Sequence, residues 1–455
     1  VTSQLLRRRA LLVSMLALSA CAAVGPDPQD LPQPKLPAGF DGAEGGPAGA
    51  VAQNAFWAGY DDRTLNGLIS TGMGQSLDIM AANERIRAAE ADLRATGVLA
   101  SQVTGSSVVG RERAGGDGLG AATANSANLS ASLVFDLFGG ARRAREGATA
   151  SYRSAEAQAE TVRLAWLAEV ISAYADARFY QQALALTRDT IQTREGTLEI
   201  TRNMQSLGSA TDYDVAQTEA LLQTARADLP NYEALFNAQV YRLSTLLNQQ
   251  ATPLMAQMRR GAAQLRTPAG PGSGVPAELL RNRPDIRASQ QDYAAALAAL
   301  GVATADLLPS VTLTGTVSDQ GGATSWGFGP RLTLPVLNQG VLQATRARRV
   351  SEARQAEIDW RASVAAAVED VQTAQSNLRR YRQRAGTLEG AAASYDRAYG
   401  LARENFEAGA LELVDLLEAD RSRAAARLAA ASARNDAAKA WAVLQIATGA
   451  GAAAR

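Results

Sequence analysis

Histidine is absent from all 455 residues, and cysteine occurs once, at position 21. Without imidazole the chain has no histidine general base, no Ser/His/Asp or Cys/His nucleophile system, and no metal site of the kind imidazole builds. One thiol per chain forms no disulfide and no thiolate cluster within that chain. Net charge is also missing: 45 Lys and Arg balance 45 Asp and Glu, so no bulk basic field recruits nucleic acid. The glycine-rich stretches at 39–49 and 115–120 lead into no Walker or dinucleotide pattern and read as loops. Carboxylate, lysine or tyrosine chemistry survives these exclusions; most catalytic repertoires do not. The chain reads as a non-enzyme that needs no cofactor.

Long apolar runs are lacking too. The longest near the start, Ala10–Leu18, has nine residues and follows the basic Arg7-Arg8-Arg9. That is too short for a bilayer span and has the layout of an export signal, expected over residues 1–20. It ends in Leu18-Ser19-Ala20-Cys21, which resembles a bacterial lipobox, so Cys21 is the expected lipidation site. Acyl chains worth about 0.8 kcal/mol per buried methylene would hold the mature N-terminus on a membrane.

Proline is confined to a few places. Six prolines lie between Pro26 and Pro47, marking an extended leader over 21–60, and Pro268, Pro271, Pro276 and Pro284 bracket a linker over 268–284. None occurs from Asn54 to Leu229 or after Pro335, and those tracts are rich in Ala, Arg, Glu, Gln and Leu. Residues 140–207 alone would make a helix about 100 Å long at 1.5 Å per residue. Leu184, Ile191 and Leu198 repeat every seven residues, and Val364, Val368, Val371 and Leu378 follow a 4-3-7 pattern, both coiled-coil spacings. The expected class is mainly α: long antiparallel coiled-coil helices.

The chain also resembles itself. Val134-Phe135-Asp136-Leu137-Phe138-Gly139-Gly140 aligns with Leu334-Pro335-Val336-Leu337-Asn338-Gln339-Gly340, two hundred residues on, and Glu169 aligns with Glu369. One residue further out of step, Arg202, Gly208, Asp214 and Arg226 meet Arg403, Gly409, Asp415 and Arg427. This predicts a duplication, with repeats over 61–267 and 285–455. Each repeat carries two strand-like runs, about 101–111 and 127–137, then 309–318 and 326–336. Val103, Gly105, Ser107 and Val109 share one parity; so do Leu129 to Leu137, Val311 to Val317, and Trp326, Phe328, Leu332, Leu334 and Val336. Runs of about ten residues suit a tilted membrane strand, although half-buried soluble hairpins look the same. Four strands close no barrel and a membrane tolerates no open sheet edge, so hairpins that enter it must be shared between chains. Three chains would supply twelve strands.

With these features in order, the sequence resembles the TolC family of outer-membrane efflux channels, in its lipid-anchored OprM/NodT branch. The resemblance covers nearly the whole mature chain. It rests on Cys21 followed by Val24-Gly25-Pro26, on Arg283-Pro284-Asp285-Ile286-Arg287, on Leu307-Leu308-Pro309-Ser310, on the two strand-to-helix corners, and on the tips Gly208 to Val215 and Gly409 to Asp415. It implies a homotrimer with a twelve-stranded β-barrel in the outer membrane and a periplasmic α-barrel of helices. Such a duct docks on a periplasmic adaptor and an inner-membrane RND pump, and acts as the passive exit of a tripartite efflux system. The same resemblance places an apolar ring beside an acidic ring at the periplasmic gate. Here those positions are Val414 and Glu418, four residues apart on one helix face, with Asp415 nearby. Gly208 and Gly409 read as helix-ending glycines at tips that also meet the adaptor. Asp212 and Asp214 are either helix caps or tip groups for docking and pore lining. Family members often have a basic residue two before the second tip glycine; Glu407 stands there instead, with Arg403 one turn earlier. Arg346, Arg348 and Arg349 read as a solvated basic face, and Trp326 as a membrane-interface anchor. Two other readings stay open: the exit duct of a type I secretion system, and a non-conducting periplasmic coiled-coil lipoprotein.

Overall fold

The computed structural model describes residues 23–27, 31, 36–40, 55–96, 103–116, 119–269 and 276–452. The expected signal segment and Cys21 lie outside the described residues, as do positions 101 and 102 of the first expected strand. After a 3-10 turn at Phe56–Tyr60 come α1 (Arg63–Gln75), α2 (Leu77–Ala95), β1 (Val103–Gly116) and β2 (Leu119–Phe135). Then follow α3 (Gly140–Ser206), α4 (Asp212–Leu246), α5 (Ala251–Arg259), α6 (Pro276–Asn282) and α7 (Pro284–Ala305). The chain ends with β3 (Ser310–Gln320), β4 (Ala323–Thr333), α8 (Gln339–Glu407) and α9 (Leu413–Ala447).

The duplication is visible in the elements themselves. α3 has 67 residues and α8 has 69, and each is followed by a helix of 35. Each long helix ends in the same way. Ser209 N–H donates to Met204 and Gly208 N–H to Gln205; Ala410 N–H donates to Asn405 and Gly409 N–H to Phe406. Both glycines hold positive φ, +74° and +72°. This is the left-handed C-cap in which a Cβ is disfavoured.

Packing divides the chain into two compact units that cut across the sequence repeats. One comprises Asn83–Gln158 and Asp285–Val364 with the leader up to Lys35; the other comprises Leu36–Ala82, Ala159–Pro284 and Ala365–Arg455. Each sequence half thus contributes to both, because strands of the two halves pair side by side. The segment expected as a linker over 268–284 contains the helix α6, and Pro284 opens α7, where a missing N–H costs nothing.

In the first unit the strands form one antiparallel sheet in the order β1-β2-β3-β4. Two strands end earlier than the sequence suggested, β2 at Phe135 and β4 at Thr333, so Leu137, Leu334 and Val336 fall outside the sheet. The cause is a tight turn at each corner: Leu137 N–H donates to Phe135 and Val336 N–H to Leu334, both at 2.9 Å. Pro335 in addition has no N–H for a ladder. At their other ends β1, β2 and β3 run longer than the apolar alternation. Pairing continues through Arg111–Ala114 and Ala122–Asn125, whose residues are small or polar.

In the second unit the core is a helical layer around Leu65, Ile69, Leu167, Ile171, Tyr174, Val240, Leu243 and Met258, all essentially inaccessible. Gly72 allows its tightest approach: a Cβ there would stand 2.4 Å from Leu247 Cδ2. Arg178 is buried among them, donating to the Tyr174 hydroxyl at 3.0 Å, to Gln181 at 2.6 Å and to the Met258 carbonyl at 3.2 Å. Tyr174 in turn donates to Asp62 at 2.7 Å. Burial outweighs the Arg178 charge and raises the Tyr174 pKa. Of the coiled-coil positions, Leu184, Leu198, Val364, Val371 and Leu378 are buried, while Ile191 and Val368 are half-buried. Pro230 lies inside α4, so that helix runs on past the proline-free tract that ends at Leu229. Among the described residues no helix is long and apolar enough to cross a membrane.

Candidate functional site: a two-faced sheet and the helical tips

Side chains of residues paired across strands lie on the same face, so the register sorts the sheet into two surfaces. One carries the rows Ser107-Leu129-Val317-Trp326, Gly105-Ala131-Gly315-Phe328, Leu133-Leu313-Pro330 and Phe135-Val311-Leu332. The other carries Val108-Asn128-Ser318-Ser325, Ser106-Ser130-Thr316-Gly327, Thr104-Ser132-Thr314-Gly329 and Val134-Thr312-Arg331. The first is apolar or small and the second is mostly Ser and Thr. Hydroxyl pairs such as Ser106–Ser130 at 2.7 Å and Ser318–Ser325 at 2.8 Å run along the second. Trp326 and Phe328 stack at 6.4 Å on the apolar face and are about three-quarters exposed, at 75% and 77%. β1 and β4 each have one edge without a strand neighbour within this sheet. A strand of 11 residues, such as β3, spans about 36 Å at ~3.3 Å per residue. That is long enough, when tilted, for an apolar band of about 25 Å.

The second-half tip is held by the second unit's own residues. Tyr399, Phe406 and Leu416 form a buried cluster against Ile200, Met204, Leu411 and Leu413. α9 therefore turns Leu416, Leu417 and Asp420 inward. Val414, Asp415 and Glu418 remain on its exposed face. Val414 is half exposed, and Asp415 lies in the first turn of α9, where a carboxylate suits the helix dipole. Glu418 has partners that sequence reasoning missed: it accepts from Arg421 one turn on, and from Ser422 at 3.4 Å. The i, i+3 spacing to Arg421 was the signal.

At the first tip the caps are assigned differently from the sequence reading. Thr211, not an aspartate, is the N-cap of α4. Its hydroxyl accepts from Asp214 N–H at 3.2 Å, and the Asp214 carboxylate accepts from Thr211 N–H at 2.8 Å. Those bonds from the Thr211 backbone and hydroxyl hold the Asp214 carboxyl below its ordinary range. Asp212 accepts from Gln205 at 2.5 Å. Gly208 and Gly409 make the turns described above. Glu407 is paired with Arg403 at 2.8 Å.

An ionic belt unforeseen from sequence ties α9 down. Arg194 of α3 and Asp420 of α9 pair at 2.7 Å with side chains only 9% and 6% exposed, and Arg194 also donates to the Leu221 carbonyl at 2.7 Å. Asp396 of α8 accepts from Arg423 at 2.8 Å and Arg427 at 2.6 Å, and the same two arginines reach Asp189 of α3. Burial alone would raise the Asp396 pKa, but the bonds and charges of the two arginines prevail and lower it. Arg348 and Arg349 both pair with Glu352, and Arg346 donates to Thr304 at 3.4 Å, so the basic run is partnered. Among the described residues no group of three or more Cys, Asp or Glu side chains is placed to hold a metal ion.

Comparison with known proteins agrees with this geometry. The family model described as outer membrane efflux protein matches residues 68–249 and again 275–450, one match in each half. Nodulation protein T of Rhizobium leguminosarum bv. viciae is 34% identical over 93% of this chain and 90% of its own length. The pyoverdine export outer membrane protein OpmQ of Pseudomonas putida is 30% identical over 91% of each. The solved outer-membrane channel OprN superposes with a TM-score of 0.83 at 26% identity, covering 94% of this chain and 99% of that one. The chain belongs to the outer membrane efflux protein family, in its OprM/NodT-type branch, a family of channels and not of enzymes.

Proposed function

We propose that three copies of this chain close a twelve-stranded barrel in the outer membrane and form the passive exit duct of a tripartite efflux system. The observation that carries the reading is the sheet with one apolar face, one hydroxyl-rich face and two edges without strand neighbours. An open edge has no place in a bilayer. Neighbouring copies supply the missing edge partners, the apolar face meets lipid and the hydroxyl face lines water. A periplasmic adaptor meets the tips around Gly208, Asp212, Asp214 and Gly409, and an RND-type inner-membrane pump delivers small molecules. Val414 and Glu418, with Asp415, form the gate rings, since they occupy the α9 face not used for packing within the chain. Arg421 beside Glu418 makes that ring one of ion pairs, so its cation preference is weaker than carboxylates alone would give. Acylated Cys21 anchors the leader. A non-conducting spacer lipoprotein has no use for a two-faced open sheet.

The test is the mass of the native protein extracted from outer membranes in mild detergent and corrected for bound detergent. Three chains are expected, with ion conductance after reconstitution. A protein that stays monomeric in lipid would leave four strands unable to close and would end the channel reading.

A further inference from the structure

Leader residues Ala23 to Asp27 rest in a seat built by the first unit. Val24 donates its N–H to the Phe138 carbonyl at 3.0 Å, at the corner where β2 turns into α3. That corner is firm, because the Asp136 carboxylate accepts from Ala141 N–H at 3.1 Å and Arg142 N–H at 2.9 Å. Arg143, in the first turn of α3, has a side chain only 6% exposed. It donates from Nε to the Val24 carbonyl at 3.3 Å and from Nη2 to the Gly25 carbonyl at 3.4 Å. Its Nη1 donates to Glu146 at 2.7 Å and lies 3.9 Å from Asp27. A buried guanidinium needs acceptors around its whole fork, and here two of them are leader carbonyls.

Glycines make this approach feasible. A Cβ on Gly139, whose φ is +77°, would stand 2.5 Å from Ala23 Cβ. On Gly301 of α7 it would stand 2.8 Å from Arg143 Cγ, and on Gly25, with φ +89°, 2.9 Å from Gly301 Cα. Leader backbone, arginine stem and α7 therefore interlock through positions that lack side chains.

We propose that Arg143, oriented by Glu146 and packed on Gly301, is a positioning residue that seats the leader on the β2–α3 corner and so fixes where the N-terminal anchor enters the membrane. The part concerning the anchor rests on the acylation of Cys21. Cys21 precedes Ala23 by two residues, and two residues of chain reach about 7 Å at most. By that reach, a lipid on the cysteine would enter beside the corner that ends β2. Without the seat, lipid and sheet would find their depths independently.

The test uses the full-length protein, reconstituted in lipid, with Val24→Cys as a reporter that keeps the backbone groups the seat uses. Labelling by a polar maleimide is located by peptide mass, which also reads the acyl group on residue 21. Slow labelling is expected with Arg143 intact, about tenfold faster labelling with Arg143→Gln, and an intermediate rate with Arg143→Lys, since opening the seat is a local event. Gly301→Val should release the leader from the other side. Equal rates in the parent and in both the arginine and the glycine variants would overturn the seat. Should Arg143→Gln fail to assemble, Glu146→Gln decides: unchanged labelling there overturns the proposal. A protected residue 24 without acyl mass supports the seat and defeats only the acylation reading. Acyl mass with a freely labelled residue 24 defeats the seat.

Discussion

Asp420 stands where an offset of 201 residues puts the counterpart of Glu219, and Arg403 where it puts that of Arg202. Arg202 and Glu219 pair across the first hairpin. Their counterparts do not: Arg403 turns to Glu407, and Asp420 takes Arg194 from the first half of the chain. The exchange replaces a surface pair, nearly neutral in stability, by a buried one whose two charges depend on each other. Removing one partner of a buried pair strands the other and typically costs about 3–5 kcal/mol, whereas replacing both by apolar residues is often neutral. Asp420→Ala should therefore lower stability by several kcal/mol, on the order of that range. The double variant Arg194→Met, Asp420→Leu should regain most of the loss, leaving the cost of the freed Leu221 carbonyl. Denaturant unfolding of the assembled protein, followed by helical circular dichroism, reads both. A single variant within about 1 kcal/mol of the parent would show that the pair is idle.

The hairpins are antiparallel helices clasped by ion pairs at matched distances from each tip. Arg188–Glu233 and Arg226–Glu195 in the first half correspond to Glu389–Arg434 and Arg427–Asp396 in the second, the former with its charges exchanged. The tips differ in one respect. Thr211 caps α4 through a complete box with Asp214, whereas Glu412 at the start of α9 makes no side-chain cap bond. The first turn of α9 therefore keeps more unpaired N–H groups than that of α4. Amide hydrogen exchange should be faster at 413–416 than at 212–215. Glu412→Thr recreates the first tip's arrangement with Asp415 in the place of Asp214. It should slow exchange in that turn and, if the turn loosens during opening, reduce the open fraction in conductance records. Unchanged exchange after Glu412→Thr would mean that capping does not set the tip's mobility. The belt on α9 adds an acid limit. Asp396 is ionised in the folded state to a pH below its unfolded value of about 3.9. Its pairing with Arg423 and Arg427 thus stabilises fully above that value and is lost as pH falls through the folded pKa. Protection of α9 against exchange should persist at pH 5 and decline only below about pH 4, and loss already near pH 6 would assign the hold to other groups.

At the scale of the whole molecule, the sequence disclosed what depends on periodicity and hid what depends on partners brought from afar. Proline distribution located the long helices, parity located the strands, and repeated Gly208 and Gly409 located the tips, because each is a local backbone demand. Arg194–Asp420 and the Arg143 seat join residues more than a hundred positions apart, and no spacing rule anticipates them. Leu334 and Val336 shared parity with β4 yet lie beyond it, since a turn at Pro335 ends pairing before the apolar pattern ends. The two faces of the sheet carry the prediction that reaches furthest. Phe328 belongs to the apolar face, while Thr316, paired with Gly327 on the neighbouring row, belongs to the hydroxyl face at nearly the same height. A lysine facing lipid near the bilayer midplane costs about 2–4 kcal/mol, and the proposed trimer would bear it three times. Phe328→Lys should then sharply reduce assembled protein in the outer membrane. Thr316→Lys should assemble normally and shift reversal potentials toward anions, because three new ammonium groups would line the water-filled side. Counting assembled protein by extraction yield and measuring selectivity in planar bilayers separates the two. Were Thr316→Lys the variant lost from the membrane and Phe328→Lys the one that altered selectivity, the faces would be reversed. Should both variants assemble with unchanged selectivity, neither face of this sheet would border lipid or lumen, and the barrel would have to be built from another surface.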